Sequence, residues 1–67
     1  MIDISKEIKK LLIDTEMSQS DLAEKLGTSQ GNLANKLKRN NFSTKEMSEI
    51  AEALGYELKI EFINKKA

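Results

Sequence analysis

The chain contains no His, Cys, Trp or Pro. Without Cys there is no disulfide framework, and without His or Cys the usual zinc sets cannot be assembled. Ser–His and Cys–His nucleophiles and a His general base are excluded on the same ground. Long hydrophobic runs are also missing. The longest, Leu11-Leu12-Ile13, falls far short of the ~20 residues of a membrane-spanning helix. Nothing resembles a signal peptide, so the expected location is the cytoplasm, with no membrane partner. Neither sign of charge is in excess: eleven Lys/Arg balance eleven Asp/Glu. Taken whole, that balance counts against a nucleic-acid binder. What is present, 39% apolar and 33% charged residues, is too rich in Leu and Ile for disorder. Sixty-seven residues make one small domain that is short of core, a shortage that oligomerisation commonly remedies.

The pattern predicts four short helices. Ile4, Ile8, Leu11 and Leu12 form one face of an amphipathic helix over 4–13, with Lys6, Glu7, Lys9 and Lys10 opposite and Asp3 as N-cap. Thr15-Glu16 begin a link. Ser18 and Asp21 make a capping box that opens a second helix. Its buried stripe is Leu22, Ala23 and Leu26, and Gly27 stops it through a left-handed backbone. Thr28 or Ser29 caps a third helix, with Leu33 and Leu37 inward, running to about Arg39; Asn40 and Asn41 form the next turn. Ser43 and Glu46 form a second capping box before Met47, Ile50, Ala51 and Leu54, with Phe42 and Met47 spaced as a hydrophobic staple and Gly55 as the close. The period then falls to two. Tyr56, Leu58, Ile60 and Phe62 alternate with Glu57, Lys59 and Glu61, as in a strand.

Two short helices joined through Leu26-Gly27-Thr28-Ser29 must cross steeply, and Ala23 is small enough to let their backbones approach. The stretch from Gln19 to Gln30, QSDLAEKLGTSQ, resembles the bacteriophage repressor/Cro-type (XRE-family) helix-turn-helix. Asn32-Leu33 and the run from Ile50 to Gly55 continue the likeness, which covers roughly 4–55. It implies a mainly α, four-helix repressor-like domain at 1–55, to which the alternation adds a C-terminal dimerisation strand at 56–63 and a tail at 64–67. Its expected partner is double-stranded DNA, read by the third helix in the major groove.

Resolved by segment, the charge balance changes meaning. Residues 28–42 hold Lys36, Lys38 and Arg39 and no acid, a local +3. Segments 1–27 and 43–54 each sum to −2, and 55–67 to +1. Cations near a helix C-terminus also complement its dipole, but that does not account for fifteen positions without acid. At 100° per residue, Leu33 and Leu37 set the inward side. Gly31, Asn32, Asn35 and Arg39 then face outward, flanked by Lys36 and Lys38. Outward Asn suits adenine edges, and Arg suits guanine or phosphate. The resemblance adds that Gln30 reads a base from the first turn and that Gln19 bonds a phosphate. The base contacts expected are therefore Ser29, Gln30, Asn32 and Asn35. Gln19, Lys36, Lys38, Arg39, Asn40 and Asn41 are expected on phosphates, which fix register without reading sequence. Gly31 departs from the family pattern of a polar reader: it is either tolerated or lets the backbone approach DNA closely.

A lone strand with an apolar face requires a cover: a second copy, another protein, or the chain's own helices. Self-pairing about a two-fold axis is the economical choice, since it also supplies the symmetry of a palindromic operator. An antiparallel register centred on Ile60 sets Lys59 against Glu61 twice and Leu58 against Phe62; one centred on Leu58 is equivalent. Tyr56, Leu58, Lys59, Ile60, Glu61 and Phe62 then form the dimer contact, with the apolar four packed down on the helices. The function expected is a sequence-specific DNA-binding regulator of phage or mobile-element type, a repressor acting as a homodimer. The alternative is an antitoxin-like or adaptor protein that binds a protein partner through the strand or the helix-turn-helix face. No carboxylate pair has an evident pocket, so no enzyme, cofactor or metal is expected.

Overall fold

Each helix begins on a side chain that satisfies its orphan amides, which fixes four starts in a short chain. In a computed structural model, residues 3–66 are described; Met1, Ile2 and Ala67, the outer ends of the expected domain and tail, lie outside them. The described part is mainly helical, with α1 at Ile4–Asp14, α2 at Gln19–Leu26, α3 at Gln30–Arg39 and α4 at Thr44–Ala53. Asp3 caps α1 by accepting from the Lys6 amide at 2.9 Å. Ser18 with Asp21 and Ser43 with Glu46 form the two capping boxes reciprocally. Of the two candidates for α3, Ser29 is the cap, accepting from the Asn32 amide at 3.1 Å. The first helix runs one residue beyond expectation, to Asp14.

The ends are as regular as the starts. After α2, the Thr28 amide donates to Ala23 O at 3.0 Å and the Gly27 amide to Glu24 O at 3.1 Å. This is the Schellman pattern, and it demands a left-handed residue, supplied by Gly27 at φ 72°. The same pair of bonds ends α4, with Tyr56 N on Ala51 O at 2.8 Å, Gly55 N on Glu52 O at 3.1 Å and Gly55 at φ 81°. At the end of α3 the left-handed position falls to Asn40, at φ 52° and ψ 44°, as a polar residue that tolerates that backbone.

Ile8, Leu12, Leu22, Ala23, Leu33, Leu37, Ile50 and Leu54 make one core, flanked by Ile4, Leu11, Met17, Leu26, Phe42 and Ala53. The second helix is central, packing on both α3 and α4, while α1 packs on α3. Leu22 is fully buried and Ala23 nearly so, which permits the close crossing of α2 and α3. None of the described helices is long and apolar enough to cross a membrane.

The C-terminal segment corrects the sequence reading. Residues 56–64 contain no strand, and among the described residues no β-strand forms. Only Leu58 is partly covered; Tyr56, Ile60 and Phe62 are exposed, with Phe62 at 98% and Ile60 at 55%. Alternation specifies which side chains share a face, but a ladder requires a second strand, and the described residues supply none. Lys59 and Glu61, expected opposite one another across two chains, instead pair within the chain at 3.8 Å.

Candidate nucleic-acid interface

The α2–α3 turn leaves α3 with one side committed to the core and the rest available. Leu33 and Leu37 are buried, while Gln30, Gly31, Asn32, Asn35, Lys38 and Arg39 are exposed. The periodicity and the structure agree here because the two inward leucines, one turn apart, fix the rotation of the whole helix. Gln30 begins α3 and Gln19 begins α2; Gln30 is exposed and Gln19 half-buried.

Five of the expected DNA contacts converge. Asn32, Asn35, Lys36, Arg39 and Asn41 line one shallow concavity of about 220 Å³. It offers amide side chains able to donate and accept, a guanidinium and an ammonium, with no acid among its walls. Asn32 is held in place from the turn, its Nδ2 donating to Thr28 Oγ1 at 2.9 Å. That amide keeps a second N–H and the carbonyl oxygen for another partner. Ser29 lies at the rim of the turn, with its oxygen occupied by the α3 cap and its hydroxyl proton left to donate.

Two of the expected phosphate contacts already have partners inside the fold. Lys36 forms an ion pair with Glu46, across the gap between α3 and α4. The Lys36 ammonium, together with the capping bonds of Ser43, holds the Glu46 carboxyl well below its ordinary value of 4.5, at about 2. The local +3 of residues 28–42 is therefore offset in space by an acid that lies outside the segment in sequence. Asn40 accepts from the Ser5 amide at 3.0 Å, while Ser5 Oγ donates to Leu37 O at 2.5 Å. Buried Ser5 thus pins the N-terminus of α1 to the C-terminus of α3, and Asn40 is a tie within the fold as well as a turn residue.

Lys38 and Asn40 border a different concavity from the first five, shared with α1. Ser5, Thr28 and Glu46 are not apparent as parts of this surface from the sequence. For Ser5 and Glu46 no local spacing announces it, because Asn40, Leu37 and Lys36 are reached only through the tertiary fold, whereas Thr28 meets Asn32 one helical turn on. Gly31 has open space where a Cβ would stand, and no contact among the described residues requires it to be glycine.

The Cro/C1-type HTH DNA-binding domain, compared as a family, matches residues 7–59. That span takes in all of α2, α3 and α4, most of α1 and the first residues of the C-terminal segment. No curated protein and no solved structure matches the chain. A tight α2–α3 turn, an exposed third helix with amide and cationic side chains, and a family match over most of the length agree: the chain belongs to the Cro/C1-type helix-turn-helix DNA-binding domains.

Proposed function

We propose that this protein is a sequence-specific DNA-binding transcriptional regulator of phage or mobile-element type, acting as a homodimeric repressor on a palindromic operator. The observation that carries the reading is the acid-free concavity of Asn32, Asn35, Lys36, Arg39 and Asn41 on the exposed side of α3. Asn35 and Asn32 read base edges, with Ser29 and Gln30 from the first turn. Gln19, Lys36, Lys38, Arg39 and Asn41 set the register on phosphates, with Asn40 fixing the turn beside them. Two copies of α3 enter successive major grooves roughly 34 Å apart and occlude a promoter.

The dimer is assigned to the C-terminal segment. Its exposed Tyr56, Ile60, Phe62 and Ile63 give a small domain an apolar surface with no cover in the single chain. Two such segments, antiparallel, satisfy each other's backbone and let Lys59 and Glu61 exchange their intrachain pairing for two interchain ones. The same apolar segment supports a second reading, an antitoxin-like or adaptor protein that binds a protein partner through this segment, ordered as a strand on the partner's sheet, or through the helix-turn-helix face.

Selection of bound sites from random duplex DNA tests the reading. A palindromic consensus is expected, and on it Asn35→Ala should change base preference while Lys38→Ala weakens binding to all sequences about equally. With four to six phosphates neutralised per dimer, the log–log salt slope is about −4 to −5. No enrichment and a flat salt response would remove DNA from the account. Sedimentation of Ile60→Pro separates the dimer from the rest: a variant as dimeric as wild type would remove the strand from it.

A further inference from the structure

Three amide side chains of α3 are proposed to read bases, and they are not held alike. Gln30 and Asn35 make no side-chain hydrogen bond among the described residues, whereas Asn32 Nδ2 donates to Thr28 Oγ1 at 2.9 Å. The Asn32 backbone is fixed as well, its amide donating to Ser29 Oγ at 3.1 Å. Helix geometry accounts for the side-chain bond. Cβ atoms lean toward the helix N-terminus, so the side chain at 32 reaches back over the residue one turn earlier.

Thr28 is itself anchored in the turn. Its amide donates to Ala23 O at 3.0 Å, within the pair of bonds that ends α2. The residue is half-buried and borders a concavity of about 230 Å³ with Leu26, Leu33 and Phe42. Its backbone is thus tied to α2 while its hydroxyl oxygen holds a side chain on the exposed side of α3. A fixed part of the α2–α3 turn sets the orientation of Asn32.

The hydrogen-bond inventory then decides what Asn32 can recognise. A free carboxamide has two N–H donors and an acceptor oxygen. With one N–H held by Thr28, one donor and one acceptor remain. In the major groove adenine offers one acceptor, N7, and one donor, N6–H, whereas guanine offers two acceptors, N7 and O6. The held amide therefore matches adenine and leaves an acceptor of guanine without a partner. Ordering the side chain before DNA arrives also lowers the cost of binding.

We propose that Thr28 is a positioning residue that makes Asn32 selective for adenine over guanine; this rests on the reading above of α3 as the base-reading helix. Thr28 contributes this selectivity from the turn, without touching a base.

The test is selection of bound sites from random duplex DNA by the full chain, with wild type, Asn32→Ala, Thr28→Val and Thr28→Ser, followed by titration of duplexes that differ at single positions. Wild type should show adenine at the position where Asn32→Ala loses its preference. Valine keeps the shape of Thr28 and removes the acceptor. In Thr28→Val the adenine-over-guanine ratio at that position should fall about 2- to 12-fold, the worth of one hydrogen bond. The other positions, the affinity for a mixed-sequence duplex and the helical dichroism signal should stay as in wild type. Thr28→Ser restores the acceptor and should restore the ratio. Guanine at the Asn32 position overturns the inference, since guanine calls for both N–H groups. So do a wild-type ratio in Thr28→Val, a loss shared by every position, a serine variant that behaves as the valine one, or an Asn32→Ala variant weakened equally on all sequences. Each of these leaves DNA binding by α3 intact. Failure of wild type to bind any duplex removes the DNA reading itself and this inference with it.

Discussion

Lys36 on α3 is paired with Glu46 in the first turn of α4, so one of the cations on the helix proposed to enter DNA is bound to an internal acid in the free chain. Glu46 has two tasks, since it also closes the capping box by accepting from the Ser43 amide at 3.0 Å. Gln serves that second task as well as Glu does. Glu46→Gln should therefore retain the helix start and release Lys36. The expected result is tighter binding to all duplexes, because Lys36 no longer has to leave Glu46 to reach a phosphate. An anisotropy titration at fixed salt measures it, and an unchanged affinity would mean that Lys36 does not reach phosphate.

The same carboxylate sets an acid limit on stability. Lys36 and Ser43 hold the folded Glu46 at about 2, below its ordinary 4.5. A depressed carboxyl contributes stability that is fully present above its ordinary value and is lost as pH falls toward the folded one. Asp21 shifts in the same direction, chiefly through its bond from the Ser18 amide. Urea midpoints followed by circular dichroism should thus decline on acidification from about pH 4.5 toward 2. In Glu46→Gln that decline should be shallower, and an equal decline would mean that other carboxylates govern it.

Asn40 combines a backbone task with a side-chain task, and two substitutions separate them. Its left-handed backbone, at φ 52°, costs an ordinary residue roughly 1–2 kcal/mol. Its bond from the Ser5 amide, at 3.0 Å, is worth about 0.5–1.5 kcal/mol. Asn40→Gly should keep the backbone conformation and lose the side-chain bonds, and Asn40→Ala should lose both. The expected order of melting temperature is wild type, then the glycine variant, then the alanine variant. Equal destabilisation of the two would remove the backbone contribution.

Gly31 is an exposed helix-interior glycine with open space at its Cβ position. Gly31→Ala should stabilise the domain by roughly 1 kcal/mol, a rise of about 4–8 °C in a domain of this size. A duplex titration of the same variant then divides the two explanations of this residue. Unchanged affinity marks the glycine as merely tolerated, and weakened affinity at a raised melting temperature marks it as clearance for DNA.

The helices and their ends could be read from the sequence because their causes are local. Ser18 and Asp21, Ser43 and Glu46, and the left-handed Gly27, Asn40 and Gly55 act within a turn of where they stand. The outward side of α3 was legible too, since Leu33 and Leu37 orient Asn32, Asn35 and Arg39 by rotation alone. The ties between helices were not. Ser5 and Asn40 are 35 residues apart, and nothing in the spacing of Lys36 and Glu46 pairs them. Segment charge consequently overstated how free the third helix's cations are. The C-terminal alternation was legible as a pattern but is not a strand in the structure, because a ladder needs a second strand and the described residues offer Tyr56, Leu58, Ile60 and Phe62 none.

The chain has one Tyr and no Trp, and that Tyr stands where the C-terminal segment leaves α4. The Tyr56 amide is fixed to Ala51 O at 2.8 Å while its side chain is 44% exposed. The buried core contains no aromatic ring at all. Near-ultraviolet absorbance and emission of this protein thus report the exit of the segment and are nearly blind to the packing of the helices. Unlabelled protein therefore carries a built-in optical sensor of whether that segment is covered, and far-ultraviolet dichroism independently follows whether the domain is folded.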